Sequence, residues 1–514
     1  MIFKKTKINI ILNGIFLFLL NMNASSAELH IFDVVYHALK KNTDIQIQEH
    51  YIAIAQGQHL QAVGQFDWVL SSLLNYDKKI TPQFNNPDLG LINSGYQLGL
   101  SKPLRNGMIL SSRVDAMAND EGMGRAQQNQ LKLDISLLVP LLKGSGPEGI
   151  AAEEDVAKLN IELSRYQLRD RISQTLYNTI LAYWNYRNRV ELEKVAISSE
   201  ERSQSLLLSI QKLVDAAEKP RADLVLLKAD HGDKVARRQA AVLASTEART
   251  VLGRLLGLDA LGIRQLPEPS DALPAVLDIA YPLNVDAMSA AALLQRPDIQ
   301  ALAMQLEAAK RQMQAVQDRL KPQLNLTLGL GYAKASEGGG RYSFAAESGQ
   351  FQATPSVFAR LNFQFPMQNN AANGAVQEHS ALMSQLVLRQ RDLSIGIATG
   401  VETALQSLFN TAEQIKLAKE GLSLYELAVS QEVIKQKNGI STLIDVINTE
   451  ARFVSARVNY LQLQLAYASA LARLRFETGT FLPAAGGNDM LSLDMNDLAG
   501  LGPLITFLPS LRAK

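Results

Sequence analysis

The feature that most constrains this chain is that it is written twice. Asp44-Ile45-Gln46 is echoed by Asp298-Ile299-Gln300, and Gln61-Ala62-Val63 by Gln314-Ala315-Val316, with one residue of slip between the landmarks. In each half a helical run gives way to alternating strands, and the strands to two long helical runs joined by a tight turn. Pro140 and Pro366 stop the last strand of each half, and Asp223 and Asp445 follow the two turns. Landmarks that recur in order mark an internal duplication.

The strands alternate strictly. Trp68, Leu70, Leu74 and Tyr76 share one face opposite Asp67, Ser71 and Asn75. Tyr96, Leu98 and Leu100 alternate with Gln97, Gly99 and Ser101 after a loop over 81–95. Arg105-Asn106-Gly107 is a turn signal, followed by Met108, Leu110, Val114 and Ala116 on one face. Leu133, Ile135, Leu137 and Val139 make a fourth strand. The second half repeats the pattern with Leu324, Leu326, Leu328, Leu330 and Tyr332, then Leu361, Phe363 and Phe365. Period-two alternation of this kind predicts strands with one apolar and one polar face.

The helical runs are far longer than a globular sheet uses. Helix is expected over 148–217, 221–256 and 371–437, and again from the turn that follows to about Thr478. The second of these alone spans roughly 50 Å at 1.5 Å per residue. Asp33 to Val63 is also helical, with Ile45, Ile52, Ala55, His59 and Ala62 on one face. Leu461, Leu465, Ala468, Leu471 and Ala472 have the near-heptad spacing of coiled-coil packing. The turns carry their own chemistry. Pro220 suits a first helical position, Asn438-Gly439 tolerates positive φ, and Thr442 with Asp445 three residues on resembles a capping box.

The N-terminus reads as a secretory leader over residues 1–27, with Lys4, Lys5 and Lys7 before an apolar run and Ser25-Ser26-Ala27 at the cleavage site. The leader carries three lysines and no acids, so its removal takes the formal charge from +1 to −2. Nucleic acid is therefore not an implied partner. The chain has no cysteine, hence no disulfide and no cysteine-linked lipid anchor. Beyond the leader no apolar run approaches the roughly 18 residues of a membrane helix. A membrane-bound form of this chain is expected to enter the bilayer as strands. Dyad strands of about ten residues with aromatic ends suit an outer-membrane β-barrel. One chain offers too few strands to close one, so several copies must share it.

No catalytic centre is expected. The six histidines (30, 37, 50, 59, 231 and 379) have no ligand spacing, and neither metal nor cofactor is implied. Gly144-Ser145-Gly146-Pro147-Glu148-Gly149 is formally G-x-G-x-x-G, but no parallel strand follows, so a strand-to-helix break is the expected reading. Tyr183, Trp184 and Tyr186 are expected to pack between helices.

The runs KNGISTLIDVINTEAR (437–452), NFQFP (362–366) and RPDIQ (296–300) carry a family resemblance, as does the order of elements from Glu28 to about Phe481. The chain resembles the TolC-like outer-membrane efflux proteins. VPLLKGSG (139–146) is similar to the branch with P-L-L-R-G at this strand exit. The implied fold is mainly α, with a trimeric membrane β-barrel and a long coiled-coil periplasmic tunnel built from two repeats. Those repeats would be 28–256 (strands 66–142, hairpin 148–256) and 286–480 (strands 323–366, hairpin 371–480). A Pro-rich equatorial join (257–285) separates them, and a tail (481–514) follows.

The resemblance further implies a homotrimer in the outer membrane of a Gram-negative bacterium, contacting outer-membrane lipid. It would act as the passive exit duct of a tripartite efflux or type I secretion system. It would dock to a periplasmic adaptor (membrane fusion) protein and an inner-membrane RND or ABC transporter. Asp445 matches the first of two family acids at the closed end of the tunnel, and Asn448 stands at the second. Asp223 is the counterpart in the other hairpin. Spacing alone equally fits Asp445 as a helix-start carboxylate. The tips expected to meet the adaptor are Lys219 and Pro220 in one hairpin, and Asn438, Gly439, Ile440 and Ser441 in the other. A periplasmic coiled-coil adaptor or scaffold without a pore is the alternative. The family's usual plan has two strands per half, against four read here in the first.

Overall fold

The computed structural model describes residues 28–80, 90–120, 126–276, 284–338 and 353–482. The expected leader, and the tail from 483 on, lie outside the described residues. In chain order the helices are α1 (Ile31–Lys41), α2 (Thr43–Gly64), α3 (Pro147–Ile150), α4 (Ala152–Asp215), α5 (Arg221–Leu255), α6 (Ala260–Arg264), α7 (Val285–Gln295), α8 (Pro297–Asp318), α9 (Asn370–Lys437) and α10 (Leu443–Glu477). The strands are β1 (Val69–Ile80), β2 (Gly90–Pro103), β3 (Ile109–Asp120), β4 (Gln128–Pro140), β5 (Gln323–Glu337) and β6 (Ala353–Gln364). None of the described helices is long and apolar enough to cross a membrane.

The chain forms two compact units. One comprises Gln48–Gln167 and Asp298–Ser394, and the other the described parts of 1–47, 168–297 and 395–514.

The first unit is built on one six-stranded sheet, paired antiparallel in the order β1-β2-β3-β4-β5-β6. Register carries the alternation of single strands across the whole sheet. Leu70 pairs with Leu100, Leu100 with Ser112, Ser112 with Ile135, Ile135 with Leu330 and Leu330 with Val357. The row beside it runs through Ser71, Gly99, Arg113, Asp134, Gly331 and Ser356. One face is therefore aliphatic and aromatic, and the other polar. The polar face is charge-matched across strands, with Arg113 opposite Asp134 and Asp115 opposite Lys132. Gln97 Nε2 donates to Asp115 Oδ1 at 2.7 Å. The apolar face lies bare, with Leu74 75%, Leu330 62%, Val357 81% and Phe363 63% exposed.

The strands overrun three of the expected loops. β2 begins at Gly90, β4 at Gln128 and β6 at Ala353, inside stretches whose composition reads as loop (81–95, 119–130 and 335–356). The starts of β2 and β4 are rich in Gly, Asn and Gln, that of β6 is Ala-Thr-Pro-Ser, and none alternates, so their strand state comes from ladder partners rather than from local pattern.

In the same unit, the G-x-G-x-x-G segment is a tight link and not a phosphate cradle. Gly144 N–H donates to Asp318 Oδ2 at 2.6 Å. A Cβ on Gly149 would lie 2.6 Å from the same oxygen. The chain's own carboxylate occupies the loop, and the helix that follows, α3, is four residues long.

The second unit shows the duplication in stereochemical detail. Each repeat enters its second helix through a residue that reaches across to the end of the same repeat's return helix. Asn42 caps α2 by accepting from Asp44 N–H at 2.9 Å, and its Nδ2 donates to Leu255 O at 2.8 Å. Arg296, at the same place before α8, donates through Nη1 to Glu477 Oε2 at 2.6 Å. Each return helix ends in a left-handed glycine, Gly257 at φ +67° and Gly479 at φ +71°. Both closures are Schellman-like: Leu258 N–H reaches back to Gly253 O and Thr480 N–H to Arg475 O. A side chain at Gly257 would meet the Lys41 carbonyl at 2.6 Å.

The expected single helix over 33–63 is broken at Asn42, whose extended backbone lets its side chain cap α2. The core of the unit includes Tyr183, Leu176, Leu252, Leu405, Tyr467 and Leu474, all at most 1% exposed.

Candidate functional site: the two hairpin tips

The tips of both hairpins belong to the second unit, and they reverse by the same geometry. At the first, Glu218 N–H donates to Leu213 O at 2.8 Å, with Ala217 at φ 61°. At the second, Ile440 N–H donates to Lys435 O at 2.9 Å, with Gly439 at φ +75°. Ala217 thus does with a side chain what Gly439 does without one. Lys219 and Pro220 on one tip, and Asn438, Gly439 and Ile440 on the other, are exposed, Ile440 by 76%. Ser441 is partly buried, because its hydroxyl turns inward to donate to the Glu432 carboxylate.

The two acids after the turns differ. Asp445 closes a complete capping box: Thr442 Oγ1 accepts from Asp445 N–H at 3.3 Å, and Asp445 Oδ2 accepts from Thr442 N–H at 3.0 Å. The Thr442 hydroxyl lies 2.5 Å from the same oxygen. That hydroxyl first, then the backbone N–H, holds the Asp445 carboxyl below its ordinary range. Asp223 follows Pro220, which has no N–H to give, so no reciprocal box forms. Its backbone N–H reaches Pro220 O at 3.2 Å. Asp445 is exposed while it caps, and Asp223 is half-buried.

The tips are fastened to each other. Leu443 of α10 packs with Ile210 of α4 and Leu227 of α5, joined by Leu206, Leu213, Leu224 and Ile447. Higher up, Arg202 Nε meets Glu450 Oε1 at 2.7 Å, and Asn188 Nδ2 donates to Leu461 O at 2.7 Å. On the other side of α10, Asn448 lines a groove of about 710 Å³ with Tyr425, Arg452 and Asn459. The structure therefore places Asn448 and Tyr425 in one groove, but Asp445 and Asp223 at separate helix starts.

Sequence reasoning missed a knot of polar contacts around Asp271. Its Oδ2 accepts from Ile31 N–H at 2.6 Å and from the Tyr183 hydroxyl at 2.5 Å, and its Oδ1 lies 3.0 Å from His30 Nδ1. Arg187 Nε donates to its backbone carbonyl at 3.0 Å. Burial raises the Asp271 carboxyl, but the bonds from Tyr183, His30 and Ile31 outweigh it and leave the carboxyl low. This contact ties the start of the described chain to the join. The sequence signal was slight: a lone aspartate among prolines.

The sheet and the paired hairpins are the elements to be compared with known proteins. Residues 288–480 match the profile of the family described as Outer membrane efflux protein. The chain is similar to the pyoverdine export outer membrane protein OpmQ of Pseudomonas putida, at 24% identity over 63% of this chain and 66% of that protein. It thus spans just under two thirds of that relative's length.

Among solved structures it is similar to the outer-membrane channel OprN (TM-score 0.64, 17% identity, 87% of this chain and 89% of that chain). It is also similar to the CmeC outer membrane channel of Campylobacter jejuni (TM-score 0.67, 15% identity, 91% and 88%). The open state of the MtrE outer membrane channel of Neisseria gonorrhoeae gives a TM-score of 0.61 at 16% identity, over 87% and 88%. The shared fold is that of outer-membrane channels.

Proposed function

We propose that three copies of this chain form an outer-membrane exit duct, in which the six-stranded sheets close one barrel. The carrying observation is the sheet itself, an antiparallel meander with a bare apolar face and, among the described residues, an unpaired edge at β1 and at β6. Because the strand number is even, β6 of one copy runs antiparallel to β1 of the next, so identical copies close without a parallel joint. Three copies of six strands give eighteen, a number at which barrels hold an aqueous channel rather than a packed interior. The apolar rows meet lipid, and the Arg113/Asp134 and Asp115/Lys132 rows line the lumen.

In this reading the helical hairpins are the periplasmic part, and the protein performs no catalysis. Lys219, Pro220, Asn438, Gly439, Ile440 and Ser441 are the surface offered to a periplasmic adaptor, which couples the duct to an inner-membrane RND or ABC transporter. Asp445, Asn448 and Asp223 border the aperture. Opening requires the Leu443–Ile210–Leu227 contact between hairpins to part. The named cargo of the P. putida relative favours small-molecule export over polypeptide secretion. A pore-free periplasmic adaptor accounts for the hairpins but leaves the bare apolar sheet without purpose.

The test is planar-bilayer recording of the detergent-purified protein beside its Asp445→Ala variant. The duct reading expects discrete channels, with lower cation selectivity in the variant. Absence of channels from correctly folded protein overturns the pore, and unchanged selectivity removes Asp445 from the aperture.

A further inference from the structure

Above the tips, α4, α5 and α10 enclose a cavity of about 340 Å³. It is lined mostly by alanine, valine and leucine, with Arg189, Ser199, Lys234, Arg237 and Gln462 as its polar groups. That volume is at the lower end of small-molecule sites, and an apolar lining with few convergent polar groups is their usual composition. The charged groups here are of one sign. Three are cationic, and no carboxylate lines the cavity.

Two of these groups are buried in a way that packing does not explain. The Lys234 side chain is 7% exposed, and its nearest carboxylate, Asp230 Oδ1, stands 3.8 Å away, beyond hydrogen-bond distance. Asp230 is also engaged on its other oxygen, which accepts from the Ser203 hydroxyl at 2.8 Å. Ser199 is 4% exposed, and its hydroxyl has no hydrogen-bond partner. A buried ammonium and a buried hydroxyl without full partners each cost free energy unless something completes them. One anion in the cavity completes both, accepting from the Ser199 hydroxyl and from Lys234 Nζ. Arg189 and Arg237 sit at the exposed rim of the same cavity, suited to hold a second oxygen.

We infer that this cavity binds a small carboxylate or phosphate anion between the two hairpins. The bound anion joins α4 to α5 of the first hairpin, and α10 of the second lines the same cavity through Val454, Val458 and Gln462, so occupancy biases whether the hairpins stay together. This site is independent of the pore reading, since it needs only the three helices named.

Isothermal titration calorimetry of the full-length protein, in its assembled detergent-solubilised form, tests it. Inorganic phosphate and succinate are titrated separately, against sodium chloride at matched ionic strength. Saturable binding of at least one of the two anions is expected, weakened about tenfold or more in Lys234→Met and several-fold in Ser199→Ala. Ser199→Ala removes an unsatisfied hydroxyl, so it should leave the melting temperature of the anion-free protein unchanged or raised. That keeps the test valid if Lys234→Met folds poorly. Heats indistinguishable from chloride, or an affinity unchanged in Ser199→Ala and Arg237→Gln together, would overturn the inference.

Discussion

Thr442 and Asp445 hold each other at the start of α10, each side chain accepting the other's backbone N–H. The same position in the first hairpin has Pro220 and Asp223, where the exchange is impossible because proline has no N–H. The two tips are homologous in backbone but not in how their acids are used. Thr442→Ala should therefore lower the stability of the second hairpin by about 1 kcal/mol. Hydrogen exchange read separately for α5 and α10 should show the loss in α10 alone.

The second tip should also be acid-sensitive. Asp445 is held low chiefly by the Thr442 hydroxyl, and Glu432 chiefly by the Ser441 hydroxyl and then by Lys435. A carboxyl whose folded pKa lies below its unfolded one adds stability above the unfolded value and loses it as pH falls through the folded one. The stabilisation is thus complete at neutral pH and fades below about pH 4. Limited proteolysis with an acid-active protease should cut near 438–441 increasingly as pH drops through that window. Cutting near 217–220 should rise less.

Ala217 carries the positive φ that Gly439 carries at the other tip. A left-handed backbone costs a residue with a Cβ roughly 1 kcal/mol. Ala217→Gly should stabilise the first hairpin by up to about that amount, and Gly439→Ala should destabilise the second by a similar one. Thermal melts of the two single variants should move in opposite directions.

The faces of the sheet should differ in what they tolerate. Leu330→Arg places a charge on the apolar face, where a midplane arginine costs about 2–4 kcal/mol. Ser111→Lys adds one to the polar face, beside Ser101 and Ser136. The first should abolish recovery of heat-modifiable oligomer from the outer-membrane fraction, and the second should leave it intact.

Most of the fold was legible because its signals are periodic and written twice. Leu70, Leu100 and Leu330 are on one face because the alternation has period two, and a one-residue slip would turn each to the polar side. Ala55 and Ala62 are buried as helical spacing requires. Strand ends such as Gly90–Gly95 were illegible, since their state is set by partners across the ladder.

The tips divide in the same way. The capping box at Thr442 follows from local sequence. By contrast, the Asp271 knot joins residues 240 positions apart, and the Ser199–Lys234 cavity needs three helices to meet. Long-range convergence of single polar residues leaves no periodic trace.

In the proposed duct, β6 of one copy pairs with β1 of the next until three chains close the barrel. The chain contains no cysteine, so introduced pairs report cleanly. Ser71→Cys on β1 can be combined in turn with Phe358→Cys, Arg360→Cys or Asn362→Cys on β6, all on the polar face. After mild oxidation in intact outer membranes, at least one pair should give a covalent ladder ending at three chains. A ladder that stops at two, runs past three, or never leaves the monomer would rule out the three-chain barrel.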